Sequence, residues 1–173
     1  MNVGAERPED RGIFFAWGET TDYTSDTNDG RTFDWNGYKG TSEVQTVGEG
    51  KYVFYLKDDA ALANWGGQWV MPTYDEMQEL IDNTTSEWVT QNGMKGRVFT
   101  SKTNGCTLFL PDAGWRPDGF FYPDGGGYYW SSSALADTPK SGAWYLRSNM
   151  STATMSALGS RTEGRSVRPV IRK

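Results

Sequence analysis

The chain has no histidine and a single cysteine, Cys106, in 173 residues. The missing histidine removes the commonest general base and the commonest metal ligand. Ser-His-Asp triads, Cys-His dyads, zinc hydrolase sites and histidine-held iron are therefore excluded. One cysteine allows no intramolecular disulfide, so cysteine usage leaves the compartment open. No apolar run approaches the roughly 20 residues that span a bilayer, which argues against membrane insertion by this domain. Met1-Asn2-Val3-Gly4 also lacks the basic stretch and apolar run of a signal peptide. Positive charge is in short supply: 17 Lys and Arg against 22 Asp and Glu give a net charge of -5. That balance opposes a nucleic-acid partner, because such affinity rests on Lys and Arg displacing counterions.

What the chain has is glycine and aromatic residues: 21 Gly, 8 Trp, 9 Tyr and 8 Phe. A length of 173 residues suits one compact domain spanning 1–173. Residues 1–50 read as loops with one or two short strands around Ile13 to Trp17. Lys51 to Lys57 has strand composition, and Asp58 to Trp65 reads as a short helix stopped by Gly66-Gly67. Thr73-Tyr74-Asp75-Glu76 is a capping box, and Met77, Leu80 and Ile81 share a face, which predicts a helix over 74–82. Asn92-Gly93 and Asn104-Gly105 separate three apolar runs into a meander, since a type I′ turn needs positive φ at both central residues. Residues 111–127 read as a long loop packed by its own aromatics, followed by strands at 128–133, 143–149 and 164–172.

Few groups suggest chemistry. Asp22, Asp26, Asp29 and Asp34 invite a calcium reading, but from Asp26 the glycine falls at position five and position twelve is Gly37, unlike an EF-hand. The segment reads as a solvated turn-rich loop. Glu19, Glu43 and the Pro-Asp pairs could be nominated as glycosidase carboxylates, yet nothing distinguishes them from surface acids. Cys106, followed by Leu108 and Leu110, reads as a half-buried core thiol. No catalytic residue, metal ligand or cofactor site is assigned. The aromatics carry two competing readings, core filling by Trp17, Trp65, Trp69, Trp88 and Trp130, or anchors of a binding surface. In AWYLRSN, strand parity turns Leu146 and Trp144 inward and Tyr145, Arg147 and Asn149 outward, as in a paratope. Residues 148–165 fit neither helical nor strand periodicity and have the composition of an adaptable surface loop.

The ordered set NVGA (2–5), FFAWGE (14–19), WGGQWVMPTYDEMQELI (65–81), LFLPDAG (108–114), YYWSSS (128–133), AWYL (143–146) and GRSVRPV (164–170) resembles a bacterial family of Bacteroidetes and Fibrobacter. That family belongs to the formylglycine-generating-enzyme-like branch of the C-type lectin fold. The resemblance implies an α+β domain with two short helices, small twisted antiparallel sheets and high loop content. The enzymes of the branch need paired cysteines or histidine-held iron, and the sugar-binding lectins need calcium tripeptides; this chain has neither set. The segment 128–170 is similar instead to the variable cassette of proteins diversified by retroelements, in which a reverse transcriptase rewrites adenine-templated codons.

The resemblance implies a fixed frame of Tyr129, Trp130, Ala143, Leu146, Gly164, Val167, Arg168 and Pro169. It implies variable, ligand-binding positions at Tyr145, Arg147, Asn149, Thr152, Thr154, Arg161 and Arg165. Arg165 and Ser148 stand where the family often carries aromatics. The expected function is non-catalytic binding of a protein or glycan receptor on another cell or surface. The expected location is extracellular, at the cell surface or on a phage particle, with a targeting segment upstream of Met1. The alternatives are a descendant of the sulfatase-maturation oxidases and a fixed-specificity adhesin tip.

Overall fold

A computed structural model describes residues 1–21, 44–47, 51–117 and 121–172. The four aspartates of the calcium reading and Glu43 lie outside the described residues. The α+β expectation is overturned: the described residues are 47% strand and 13% helix, and the principal sheet is curled and mixed rather than small and antiparallel. The reason is local. The two α-helices, α1 (Ala60–Trp65) and α2 (Tyr74–Asp82), are 6 and 9 residues long, while nearly every β-branched or aromatic run pairs into strands.

The central strand is β8 (Gly126–Ala134). One edge of it carries β9 (Gly142–Asn149) and then β10 (Ala153–Ser160), antiparallel throughout. On the other edge β11 (Arg165–Ser166) runs parallel beside Tyr129, and β3 (Lys51–Phe54) pairs at Ser133 and Ala134. The outer strands are β1 (Phe14–Phe15) on β11 and β2 (Val44–Val47) on β3. A meander of β5 (Thr84–Gln91), β6 (Met94–Ser101) and β7 (Thr107–Pro111) forms a second sheet. β4 (Trp69–Val70) and β12 (Val170–Ile171) form a third. The Asn92-Gly93 turn has φ of 48° and 84°, the left-handed pair a type I′ hairpin requires.

Both faces of β8 and β9 are covered. Tyr128, Trp130, Ala143 and Tyr145 face one cluster with Phe15, Trp17 and Phe54. Tyr129 and Leu146 face another with Met77, Phe99 and Leu110. Gly127 has no room for a side chain, because a Cβ there would sit 2.6 Å from the Pro111 carbonyl oxygen and 2.6 Å from the Tyr129 ring. Two indole N–H groups tie the amino-terminal segment to this strand: Trp17 Nε1 donates to Ser131 O at 2.7 Å, and Trp130 Nε1 to Phe15 O at 2.8 Å. Among the expected core tryptophans, Trp17 and Trp130 are fully buried, and Trp65, Trp69 and Trp88 are half-buried. Cys106 is exposed in the turn before β7, which corrects its reading as a core thiol.

The segment 148–165, expected as a loop, contains β10. Its alternation was hidden because the inward residues are Ala153 and Met155 and the register with β9 shifts between Ser156 and Gly159.

Two carboxylates hold the helices and oppose each other with pH. Asp59 caps α1 by accepting from Ala61 N and Leu62 N and also takes the Met71 N–H, while burial pushes its carboxyl up. Glu76 closes the capping box of α2 and receives two bonds from the Arg172 guanidinium, at 2.8 and 3.0 Å. The Arg172 bonds, with those from Thr73, hold Glu76 down at about 2 against an ordinary 4.5. Its contribution to stability is complete above the unfolded value and disappears as pH falls through about 2. Urea midpoints are expected to drop between pH 4.5 and 2, and Glu76→Gln to flatten that slope. Asp59 has the opposite sign, so Asp59→Asn should steepen it.

Candidate ligand-binding face

The β9–β10 hairpin is anchored at its tip. Asn149 Oδ1 accepts from Ser151 N and Thr152 N at 2.9 Å each, and Arg97 Nη2 donates to Asn149 O at 2.5 Å. Arg97 Nη1 reaches Ser86 Oγ at 3.1 Å within the meander, so the Asn149 bond ties the hairpin to a braced guanidinium. On one face Arg147 stands directly across from Thr154, and both are exposed. The Arg147 guanidinium lies 5.9 Å from the ring centre of Tyr128. Tyr128 in turn donates its hydroxyl to Asp124, and burial followed by that bond pushes its phenol up to about 12. Met150 and Leu158 are 73% and 89% exposed, placing aliphatic surface at both ends of the same hairpin.

Beneath this surface the structure corrects three positions. Tyr145 was expected to point outward, and Arg161 and Arg165 to be variable ligand-binding positions, yet they are 6%, 1% and 1% exposed. Tyr145 is buried because the parity rule assumes one solvated face, and both faces of β9 are covered. Arg165 lies in a cage of rings, 3.6 Å from the centre of Tyr145, 4.6 Å from Trp130, 5.2 Å from Trp115 and 5.5 Å from Tyr128. Its Nη2 pairs with Glu163, whereas Nε and Nη1 have no hydrogen-bond partner among the described residues. Stacking on π-faces takes the place of those bonds. Arg161 likewise sits 4.0 Å over the Trp17 ring and donates to Pro139 O at 2.6 Å.

Of the seven positions named from the sequence, Arg147, Thr152 and Thr154 are exposed on the hairpin, and half-buried Asn149 shapes its turn. Sequence reasoning missed Leu158, Met150 and the Tyr128–Asp124 pair. No periodicity announced Leu158, because the register shift between Ser156 and Gly159 breaks the alternation around it. Among the described residues no three Cys, Asp or Glu side chains converge closely enough to hold a metal ion. No helix there is long and apolar enough to cross a membrane. No family model, curated protein or solved structure matches the chain.

Proposed function

We propose that the chain is a non-catalytic receptor-binding domain of the retroelement-diversified kind, presenting the β9–β10 hairpin to a protein or glycan on another cell or surface, outside the cell or on a phage particle. The observation that carries this reading is the division of the hairpin into an exposed set and a buried frame. Arg147, Thr152 and Thr154 are exposed, while Tyr145, Leu146, Ser148, Arg161 and Arg165 beside and below them are buried. Surface substitutions away from packed groups change stability by about 0.5 kcal/mol or less, so the exposed set can change without loss of the fold. Arg is a usual anchor of such surfaces, and Arg147 supplies it, backed by the buried Tyr128 ring beneath it.

The test is sequencing of the codons for residues 143–165 across a growing population, paired with Arg147→Ala and Thr154→Ala in a pull-down of the receptor. Substitutions should collect at codons 147, 152 and 154 and leave 145, 161 and 165 fixed. Each alanine variant should keep the urea midpoint of the parent and the pair together should lose binding. An invariant stretch with no near-copy template in the flanking DNA would sink the diversified reading, and unchanged receptor capture would sink the surface.

A further inference from the structure

On the other face of β9 from Arg147 lies a concavity of about 270 Å³, lined by Lys51, Tyr52, Tyr74, Asp75, Ser133 and Trp144. Its walls come from β3, the first turn of α2, the end of β8 and the middle of β9. The register of β8 and β9 makes the space: between the pairs Trp130↔Tyr145 and Ala134↔Ala143, three residues of β8 oppose the single residue Trp144. The bulged serines are then used as fasteners. Ser131 Oγ donates to Trp144 O at 2.8 Å, and Ser133 Oγ accepts the Tyr74 N–H at 3.0 Å, so strand and helix start are locked together. That lock sets the Tyr74 ring 4.7 Å from the Trp144 ring at 62°, two aromatic walls meeting edge to face. At the rim Lys51 Nζ pairs with Asp75 Oδ2 at 2.6 Å, with the two side chains 57% and 60% exposed.

We propose that this cavity is a binding subsite for one neutral pyranose ring. A pyranose has an apolar C–H face and a belt of hydroxyls, and the site offers the counterpart of each. The half-buried faces of Tyr52, Tyr74 and Trp144 take the C–H face, whose slightly positive hydrogens meet the negative π-cloud. The ion pair takes the belt: one hydroxyl donates to the Asp75 carboxylate while its neighbour accepts from the Lys51 ammonium. A neutral polyol uses both members without breaking the pair. An anion would meet Asp75, a cation would meet Lys51, and an aliphatic side chain would desolvate both without replacing their hydrogen bonds. The volume lies just below the roughly 300–1,000 Å³ of drug-sized sites, which suits a single ring better than a peptide. The site shares no residue with the exposed hairpin set, so it stands or falls apart from the receptor reading.

The experiment is a titration of the full chain, labelled with nitrogen-15, with D-glucose, D-galactose, D-mannose and N-acetyl-D-glucosamine in turn. At least one sugar should move the Trp144 indole resonance saturably, with a dissociation constant on the order of millimolar for a contact of this size. Asp75→Asn, an exposed change, should weaken that binding about tenfold, and Trp144→Ala should abolish the remaining resonance shifts around Tyr52 and Tyr74. Arg147→Ala should leave the titration unchanged. If none of the four sugars moves the resonance, or if binding survives both Asp75→Asn and Trp144→Ala, the subsite is overturned.

Discussion

Trp130→Ala is expected to lower the unfolding free energy by about 4 kcal/mol, a large share of the roughly 5–15 kcal/mol that holds a domain of this size together. Trp130 is fully buried and lies at the junction of three elements. Its indole N–H bonds Phe15 O, its ring meets Tyr145 edge to face, and the Arg165 guanidinium lies 4.6 Å above it. The gap left by alanine cannot close, because β9 and β11 are fixed to β8 by their own backbone ladders. The orphaned Phe15 carbonyl adds its own desolvation cost. Trp130→Phe should lose about half as much, since it keeps one six-membered ring in the cluster while giving up the rest of the indole and its N–H donor. Urea unfolding followed by circular dichroism measures both. A Trp130→Ala loss below about 1 kcal/mol would mean that the cluster collapses around the gap, contrary to the packing described.

The second large effect concerns Arg165. Arg165→Ala should cost about 3–5 kcal/mol, because it empties the ring cage and leaves Glu163 facing it without its partner. Arg165→Met keeps the length and approximate volume and should cost less, about 1–2 kcal/mol. Arg165→Lys should fall between, as an ammonium has no flat face to lay on Tyr145. Thermal or urea denaturation of the three variants ranks them. A tolerated Arg165→Ala would return this position to the variable set. The expected ranking instead makes it part of the frame, along with Arg161 over Trp17.

Local signals were the legible ones. The capping box of α2 and the Asn92-Gly93 turn depend on residues a few positions apart, and both stand where the sequence placed them. Stop signals at Gly66 and the strand composition of YYWSSS and AWYLRSN were read in the same way. The fold class was not legible, because it is set by pairings between distant segments: Phe14 with Ser166, Tyr129 with Ser166, Val70 with Val170. No spacing within a window announces a two-residue strand that borrows its partner from the far end of the chain. The site was legible in part for a related reason. Arg147 and Thr154 follow simple alternation, but Tyr145 lies under a second layer that alternation does not reveal. Buried arginines at 161 and 165 defy the ordinary expectation that guanidinium groups seek water, and the assembled aromatic rings, together with Glu163 and the Pro139 carbonyl, make them acceptable.

The insertion of β11 between β1 and β8 has a consequence for synthesis on the ribosome. The first strand, Phe14–Phe15, has as its partner Arg165–Ser166, made about 150 residues later. At roughly 5–20 residues per second the amino-terminal edge waits on the order of ten seconds or more, with Phe14, Phe15 and Trp17 unsheltered by their native neighbours. The meander of β5 to β7 can close while translation continues, since its pairings are sequential. The principal sheet cannot. Completion therefore waits until Arg165 and Ser166 have been made, and a stalled or truncated nascent chain ending before Arg165 would carry the finished hairpins and an open aromatic seam for a holdase to cover.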